Sequence, residues 1–426
     1  MFEKNWKPLF IEELDAFLGI LIVMGVNHDS KVSIEHLWSK NENFTIQFYR
    51  KVMPRDRFKQ LLSALRFDDS TSRIVRQETD RLAAIREIHD IMRENCMRNY
   101  NTSESVTVDE RMIGFRGNCK FRVYMKSKPD KYGIKVWVLA DANNFYVKNF
   151  QIYLGKQMNI REKNQAERVV LELSSCLDSG VNITVDNFFT SISLANKLLE
   201  NNMTLLGTLR TNRKGIPAEM IETKNRDEYS SKFMFTDKLQ LTSYCPKKCK
   251  VVLLLSSSAP DTSEIDMSEQ KSHAKIGEKK PQVILDYNRT KIGVDLFDMM
   301  AKDYPVKRKS RRWTMAVFYN FLETSLINAF IILKEKNESI IRRQQLVILA
   351  ESLVAPYDQI QQNQALQSSY SDEPPAKKPR SKKCNQCPPP HKTKHYATQF
   401  CSKCHEPVCS YHFTILCDSC KNNTNQ

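Results

Sequence analysis

Ser105-Val-Thr-Val-Asp109 and Asn182-Ile-Thr-Val-Asp186 are the two stretches that decide how this chain folds. Each is a short β-branched run that ends on an aspartate, and β-branched side chains suit a pleated, half-buried surface. Residues 134–139 and 145–153 read as two further strands, 166–177 and 191–199 as helices, and 204–209 as another strand. Three neighbouring strands followed by helix, strand, helix, strand specify a mixed α/β sheet. On this reading Asp109 and Asp186 each end a strand, which places their carboxylates at a sheet edge open to solvent.

Outward from the sheet the texture changes on both sides. Residues 1–104 read as helical, with apolar side chains at helical spacing over 11–24, 55–66 and 81–97, and loops at 27–30 and 68–72. Downstream, 232–235, 239–243 and 251–255 look like strands of a small β-rich insertion spanning about 211–280, and 256–280 looks like a polar loop. Helical periodicity returns at about 293 and runs, broken near Pro305, to about 353. Residues 356–383 are rich in Gln, Ser, Pro and Lys without apolar period, which predicts a linker. There is no internal repeat.

The 426 residues leave room for two or three domains, and 41% hydrophobic content is enough for a sizeable core. The net charge of +16, with a pI near 9.2, points to a polyanionic partner, because Lys and Arg gain affinity by releasing counterions from phosphates. No signal peptide is recognisable at Met1. The most apolar run noted, 17–26, is about half a membrane span and follows Glu12, Glu13 and Asp15, so a buried helix is expected and no membrane partner. Twelve cysteines in such a chain are not expected to form a disulfide set.

Seven of those cysteines crowd into residues 384–420. Cys384-x2-Cys387, Cys401-x2-Cys404, Cys409-x2-His412 and Cys417-x2-Cys420 make four pairs of equal spacing, which lets one tight turn present both side chains of a pair to one ion. Tetrahedral zinc takes four such ligands, so the array fits two structural Zn2+ ions with no open coordination position. The order suggests that pairs one and three share one ion and pairs two and four the other; sequential pairing is the alternative. His391, His395 and His405 are surplus to this set. Metal binding would supply the stability that so small a segment lacks. Just upstream, Pro374-Pro-Ala-Lys-Lys-Pro-Arg-Ser-Lys-Lys383 reads as a nuclear localisation signal or a phosphate-binding strap, against the plainer reading of a solvated linker.

Asp109, Asp186 and Asp295 sit where phosphodiester chemistry would use them. Asp295 lies at a predicted helix start, and Asp298 follows one turn later on nearly the same face. Converging carboxylates repel unless cations sit between them, and hard oxygen ligands suit two Mg2+ (or Mn2+) ions. For any one of these residues taken alone, a turn former or helix cap is the commoner role.

Longer blocks carry a resemblance. Val106-Thr-Val-Asp-Glu-Arg-Met-Ile-Gly-Phe-Arg-Gly117 and Phe121-Arg-Val-Tyr-Met-Lys-Ser-Lys-Pro-Asp-Lys-Tyr-Gly-Ile-Lys135 resemble the first catalytic block of piggyBac-type transposases. Asn182-Ile-Thr-Val-Asp-Asn-Phe-Phe-Thr-Ser-Ile-Ser-Leu-Ala195 resembles the second, and Asp286-Tyr-Asn-Arg-Thr-Lys-Ile-Gly-Val-Asp-Leu-Phe-Asp-Met299 the third. Arg311-Arg-Trp-Thr-Met-Ala316 and the terminal cysteine array match as well. The resemblance implies an RNase H-like catalytic domain over 105–305 with Asp109, Asp186 and Asp295 as its metal-binding triad and Asp298 as an accessory carboxylate. It implies a helical dimerisation and DNA-binding domain split between 1–104 and 306–355, a basic linker over 356–383, and a zinc domain over 384–420 that reads transposon-end DNA. The implied chemistry is cleavage at terminal inverted repeats through a hairpin intermediate, and joining of 3′-ends to TTAA targets, by a homodimer in the nucleus. Full-length members usually carry an acidic N-terminal region; here Met1 opens almost directly into the helical part, as in a truncated copy or an internal start.

Trp313, flanked by Lys307, Arg308, Lys309, Arg311 and Arg312, suits stacking on an unpaired base beside phosphate-holding cations, with a core aromatic as the alternative. Arg116, Lys126, Lys128 and Lys131 are further candidates for the DNA path, each equally readable as a solvated charge. Two other functions remain open: a domesticated, catalytically silent DNA-binding protein, and a zinc-module protein that binds another protein.

Overall fold

The computed structural model describes residues 6–41, 46–155, 162–269, 277–370, 399–400, 402–404 and 406–408. It divides into two compact units, Met1–Tyr357 and Asp358–Gln426. The first begins with helices. α1 (Ile11–Val26) buries Ala16, Phe17, Ile20, Leu21 and Met24. α2 (Ile34–Leu37), α3 (Gln47–Val52), α4 (Arg55–Ala64), α5 (Ser70–Thr79) and α6 (Arg86–Arg98) follow. The expected loop at 68–72 is instead the cap and first turn of α5: Asp69 accepts from the Thr71 amide at 2.9 Å, satisfying a backbone donor at the helix start.

The sheet then starts with β1 (Ser105–Gly114), β2 (Arg122–Tyr124), β3 (Tyr132–Asp141) and β4 (Val147–Ile152). Next come α7 (Gln165–Ser174), β5 (Asn182–Val185), α8 (Ile192–Glu200) and β6 (Thr204–Leu209). α9 (Ala218–Ile221) leads to β7 (Ser231–Phe235), β8 (Gln240–Lys247) and β9 (Lys250–Ser256). β10 (Glu264–Asp266) pairs with β11 (Lys279–Pro281), so 256–280 is not simply a loop among its described residues. α10 (Gln282–Thr290), α11 (Gly293–Asp303), α12 (Trp313–Lys336) and α13 (Arg342–Tyr370) complete the helices. α13 continues through 356–370, where a linker was expected.

The strand order is β2-β3-β1-β5-β6-β9-β8-β7, with β4 also on β3. β1 is antiparallel to β3 and parallel to β5, and β5 is parallel to β6. This mixed sheet with helices is consistent with an RNase H-like core. The insertion strands do not form a sheet of their own: β9 pairs antiparallel with β6 and extends the same sheet. β1 also corrects an expectation. Asp109 does not end it, because the strand runs on to Gly114 while pairing with β3 throughout.

Alternation along β1 sends Val106 and Val108 to one face and Thr107, Asp109, Arg111 and Ile113 to the other. The first face packs with Trp137, Leu139, Val169, Leu173, Ile183 and Leu194 under α7 and α8. The second packs with Val136, Val138, Phe297, Val317 and Phe321 under α11 and α12. A separate core joins the two ends of the unit: Phe17, Ile20, Leu21, Tyr49 and Phe58 pack with Met315, Tyr319, Leu346 and Ala350. Within it Arg57 makes a buried bidentate pair with Glu13 at 2.7 and 2.6 Å, joining α4 to α1.

α12 is long and apolar enough to cross a membrane by length and composition. Its surface is occupied otherwise, since Met315, Tyr319 and Leu326 lie in one core and Val317, Phe321, Ile327 and Ile331 in another. A helix packed on two sides needs apolar residues all round, and this is the reason for its composition.

In the second unit β12 (Gln399–Phe400) pairs antiparallel with β13 (Pro407–Val408). Cys404 lies exposed in the connecting turn. The other proposed zinc ligands, Cys384, Cys387, Cys401, Cys409, His412, Cys417 and Cys420, lie outside the described residues, as do the basic stretch 374–383 and His391, His395 and His405.

Candidate active site

The parallel pairing of β1 with β5 runs Ser105↔Asn182, Val106↔Ile183, Thr107↔Thr184 and Val108↔Val185. One step further the register sets Asp109 beside Asp186. The ladder itself stops at Val185, but neighbouring strands lie about 4.8 Å apart, and Asp109 feels the charge of Asp186. The Thr-Val-Asp triplet at 107–109 is repeated at 184–186, and two identical triplets in register on parallel strands present identical rows.

The threonine row fastens α10 to this face. Thr290, at the end of α10, accepts through its carbonyl from the Thr107 hydroxyl, and its own hydroxyl lies 2.7 Å from that of Thr184. A buried hydrogen bond of this kind contributes about 1 kcal/mol net, and losing one partner costs more because the other is left unsatisfied. Gly293, the first residue of α11, is pressed on the same row: a Cβ there would lie 3.0 Å from Thr107 Oγ1 and 3.0 Å from the Asp141 carbonyl. Five residues on, Asp298 pairs with Arg111 at 2.8 Å. α11 is therefore held at Thr107 and at Arg111, with Asp109 midway between them on β1 and exposed Asp295 in the first helical turn.

Asp186 opens a turn that is itself pinned. Its Oδ1 accepts from the Phe188 amide at 2.9 Å and its carbonyl from the Thr190 hydroxyl at 2.8 Å. Phe188 stacks on Trp137 at 5.6 Å and Phe189 is buried. Gly207 on β6 admits this turn, for a Cβ there would meet Thr190 Oγ1 at 2.2 Å.

The site carries an excess of negative charge. Burial pushes the Asp109 carboxyl up to about 7; Lys128 opposes the shift, and Glu110 and Asp186 add to it. Tyr287 on α10 has its hydroxyl pKa raised by burial and, to a smaller degree, by the charges of the same two aspartates. Lys128 donates to the Glu110 carbonyl at 2.8 Å. Lys135 lies over the Trp137 ring at 3.6 Å and 3.7 Å from Glu110, with its pKa lowered by burial. The donor set suits a hard divalent cation, which would relieve the repulsion that burial magnifies. Among the described residues, however, no three His, Cys, Asp or Glu side chains are gathered closely enough to hold a metal ion. Asp109 feels the charge of Asp186, Asp295 is exposed in the first turn of α11 where that helix is held against β1, and Asp298 is spent on Arg111.

The basic residues divide sharply. Arg308 is buried and donates to the carbonyls of Asp29 and Val32 at 2.8 Å and of Ser30 at 3.2 Å. Arg312 donates to Leu65 and Leu62 carbonyls at 2.6 and 2.7 Å, closing the end of α4. Lys307 donates to the Gly114 carbonyl. These three, expected to contact DNA, have their donors turned to the protein's own backbone. Lys309, Arg311, Arg116, Lys126 and Lys131 are exposed. Trp313 is half-buried edge-on to Phe121 at 5.1 Å, and it lines a cleft with Arg66, Arg73 and Arg311. The sequence reading missed Thr107, Thr184, Thr290 and Arg111; the repeated Thr-Val-Asp triplet was a signal for the first two.

The family model described as Transposase IS4 matches residues 1–330. Human PiggyBac transposable element-derived protein 3 is 25% identical over 337 residues, which are 76% of this chain and 56% of that protein. The human Chimeric ERCC6-PGBD3 protein is likewise 25% identical over 337 residues, 76% of this chain and 31% of that protein. The chain thus spans about half or less of the curated relatives it matches. The fold matches a cryo-EM structure of the piggyBac transposase synaptic complex with hairpin DNA, with a TM-score of 0.77 and 33% identity, covering 97% of this chain and 89% of that one. The chain belongs to the piggyBac-type transposase family.

Proposed function

We propose that the chain is a DNA transposase that cuts at transposon terminal inverted repeats and joins the 3′-ends to TTAA targets. The observation that carries this is the β1–β5 register, which, continued one step past Val108 and Val185, brings Asp109 and Asp186 next to each other, with α11 and its Asp295 held against β1. These three would hold two Mg2+ or Mn2+ ions, with Asp298 accessory. Such ions activate the attacking oxygen and stabilise the leaving oxygen of a phosphodiester. The chain's own contribution is to hold Asp109 on a rigid strand and Asp186 at the end of its neighbour, with Lys128 opposing only part of the cost of ionising Asp109.

DNA is the partner that the net charge of +16 favours, and the solved relative is described as a synaptic complex with hairpin DNA. Lys309, Arg311, Arg116, Lys126 and Lys131 are the exposed cations for its phosphates, and the Trp313 cleft suits an unpaired base. The helical core that unites α1–α4 with α12 and α13 supports a split helical domain serving homodimerisation and DNA binding, flanking a catalytic domain over 105–305. The cysteine array would carry two structural Zn2+ ions and help read the transposon ends, and the basic stretch before it would direct the chain to the nucleus.

The test is strand cleavage by purified protein on a duplex carrying the matching terminal inverted repeat, with Mg2+ or Mn2+, beside Asp186→Asn. Nicking followed by a hairpin product, lost in the variant, supports the proposal. A domesticated, silent DNA-binding protein is the second reading. Tight end binding without cleavage in either metal would establish it.

A further inference from the structure

Arg111 belongs to none of the functions assigned so far, yet it is a buried cation, 6% exposed, two residues beyond Asp109 on the same face of β1. Its guanidinium meets three groups from two helices. Nε lies 2.8 Å from Asp298 Oδ1 on α11, an ion pair in which the N–H is not aimed at the oxygen. Its Cζ sits 4.7 Å over the Phe297 ring, also on α11. The two terminal nitrogens donate to the Asn320 side-chain oxygen on α12 at 2.9 and 3.1 Å, once that amide is oriented to face them with its oxygen. Glu323, one turn further along α12, also feels its charge.

A cation with so little solvent is held by these partners, and its planar fork fixes their positions where a flexible ammonium would not. The geometry along β1 gives this a consequence. α11 starts against Thr107 at Gly293 and returns to β1 at Arg111 through Asp298. Asp109 lies between those two points on the strand, and Asp295 lies between them on the helix. The first contact alone leaves α11 free to swing about its N-terminus; the second removes that freedom.

We propose that Arg111 is a positioning residue for the carboxylate site: paired with Asp298, it locks α11 onto β1 so that Asp295 is presented to the ions shared by Asp109 and Asp186. Asp298 then acts through Arg111 and not as a metal ligand. This rests on the metal-site reading above. It requires that Arg111 and Asp298 behave as one unit and that the effect reach both the helix and the ion.

The experiment uses the full chain and four variants: Arg111→Met, Arg111→Lys, Asp298→Asn and the double variant Arg111→Met with Asp298→Asn. Hydrogen exchange over 293–303 reads the helix without metal or DNA, and Mn2+ titration followed by electron paramagnetic resonance reads the ion. Arg111→Met should speed exchange across α11 while β5 stays protected, and should weaken Mn2+ binding by roughly tenfold to a hundredfold, as loss of a group that orients a ligand does. Arg111→Lys should restore part of both. Asp298→Asn should weaken Mn2+ binding in the native background and add nothing in the Arg111→Met background.

Unchanged exchange in Arg111→Met overturns the clamp, whatever the protein's activity. Faster exchange with unchanged Mn2+ affinity overturns the link to the ion. A further loss of Mn2+ binding from Asp298→Asn on top of Arg111→Met makes Asp298 a ligand and overturns the assignment. Failure of the underlying site reading has its own signature: Mn2+ binding in the native chain that Asp186→Asn leaves intact.

Discussion

The scattered carboxylates Asp109 and Asp186 and the clustered cations of 307–312 both read in sequence as functional charge, and the fold treats them oppositely. In the 307–312 stretch Arg308 and Arg312 turn inward and satisfy backbone carbonyls at 2.6–3.2 Å, leaving Lys309 and Arg311 outside. At Asp109 and Asp186 two like charges are set side by side, with burial raising the cost of ionisation. A charge that the protein has already balanced holds structure together. One left unbalanced on a rigid strand marks a place where something else must bind.

The contrast breaks most decisively at the carboxylates. Asp109→Asn or Asp186→Asn should reduce end cleavage at least about a thousandfold, since charge stabilisation by bound metal is worth several kcal/mol. A gel assay on end-labelled duplex reads this, and cleavage within tenfold of the native chain would remove the distinction. On the other side, Arg308→Met should lower the unfolding free energy by about 3 kcal/mol, because it strips buried carbonyls of charge-assisted donors. Urea denaturation measures that. Weaker DNA binding at native stability would instead return Arg308 to the DNA interface.

A smaller effect is pH-dependent. The Asp109 carboxyl is raised in the folded chain to about 7, so the folded state holds the proton more tightly than the unfolded one and loses stability as pH rises. In chelator, Asp109→Asn should therefore raise the melting temperature above pH 7 and do nothing below about pH 4, the usual carboxylate range. Added Mg2+ should remove the difference. A gain independent of pH would point to packing and not to charge. Smallest of all, Lys309→Ala and Arg311→Ala should each change stability by no more than about 0.5 kcal/mol. Each should reduce the salt slope of DNA binding by about one if it meets a phosphate. Filter binding across a salt series separates that from a solvated charge.

Much of the sheet was legible because strand signals are local. The β-branched runs at 105–108 and 182–185 and the insertion strands β7–β9 lie where periodicity placed them. The juxtaposition of Asp109 with Asp186 was less accessible, since register is a property of two strands 77 residues apart (186 minus 109). The extension of β1 past Asp109 depends on its pairing with β3, which has no trace in the residues after the aspartate. The roles of Arg308 and Arg312 were hidden for the same reason: their acceptors lie some 250 to 280 residues upstream. The membrane-like composition of α12 makes sense only once two cores are seen to share it.

The most direct test of the central claim is the anomalous diffraction of Mn2+-soaked crystals of the chain. A Mn2+ peak about 2.2 Å from carboxylate oxygens of both Asp109 and Asp186, with Asp295 drawn in as a further ligand, is the predicted result. No peak between those two aspartates, or one seated on Asp298 away from them, would contradict it.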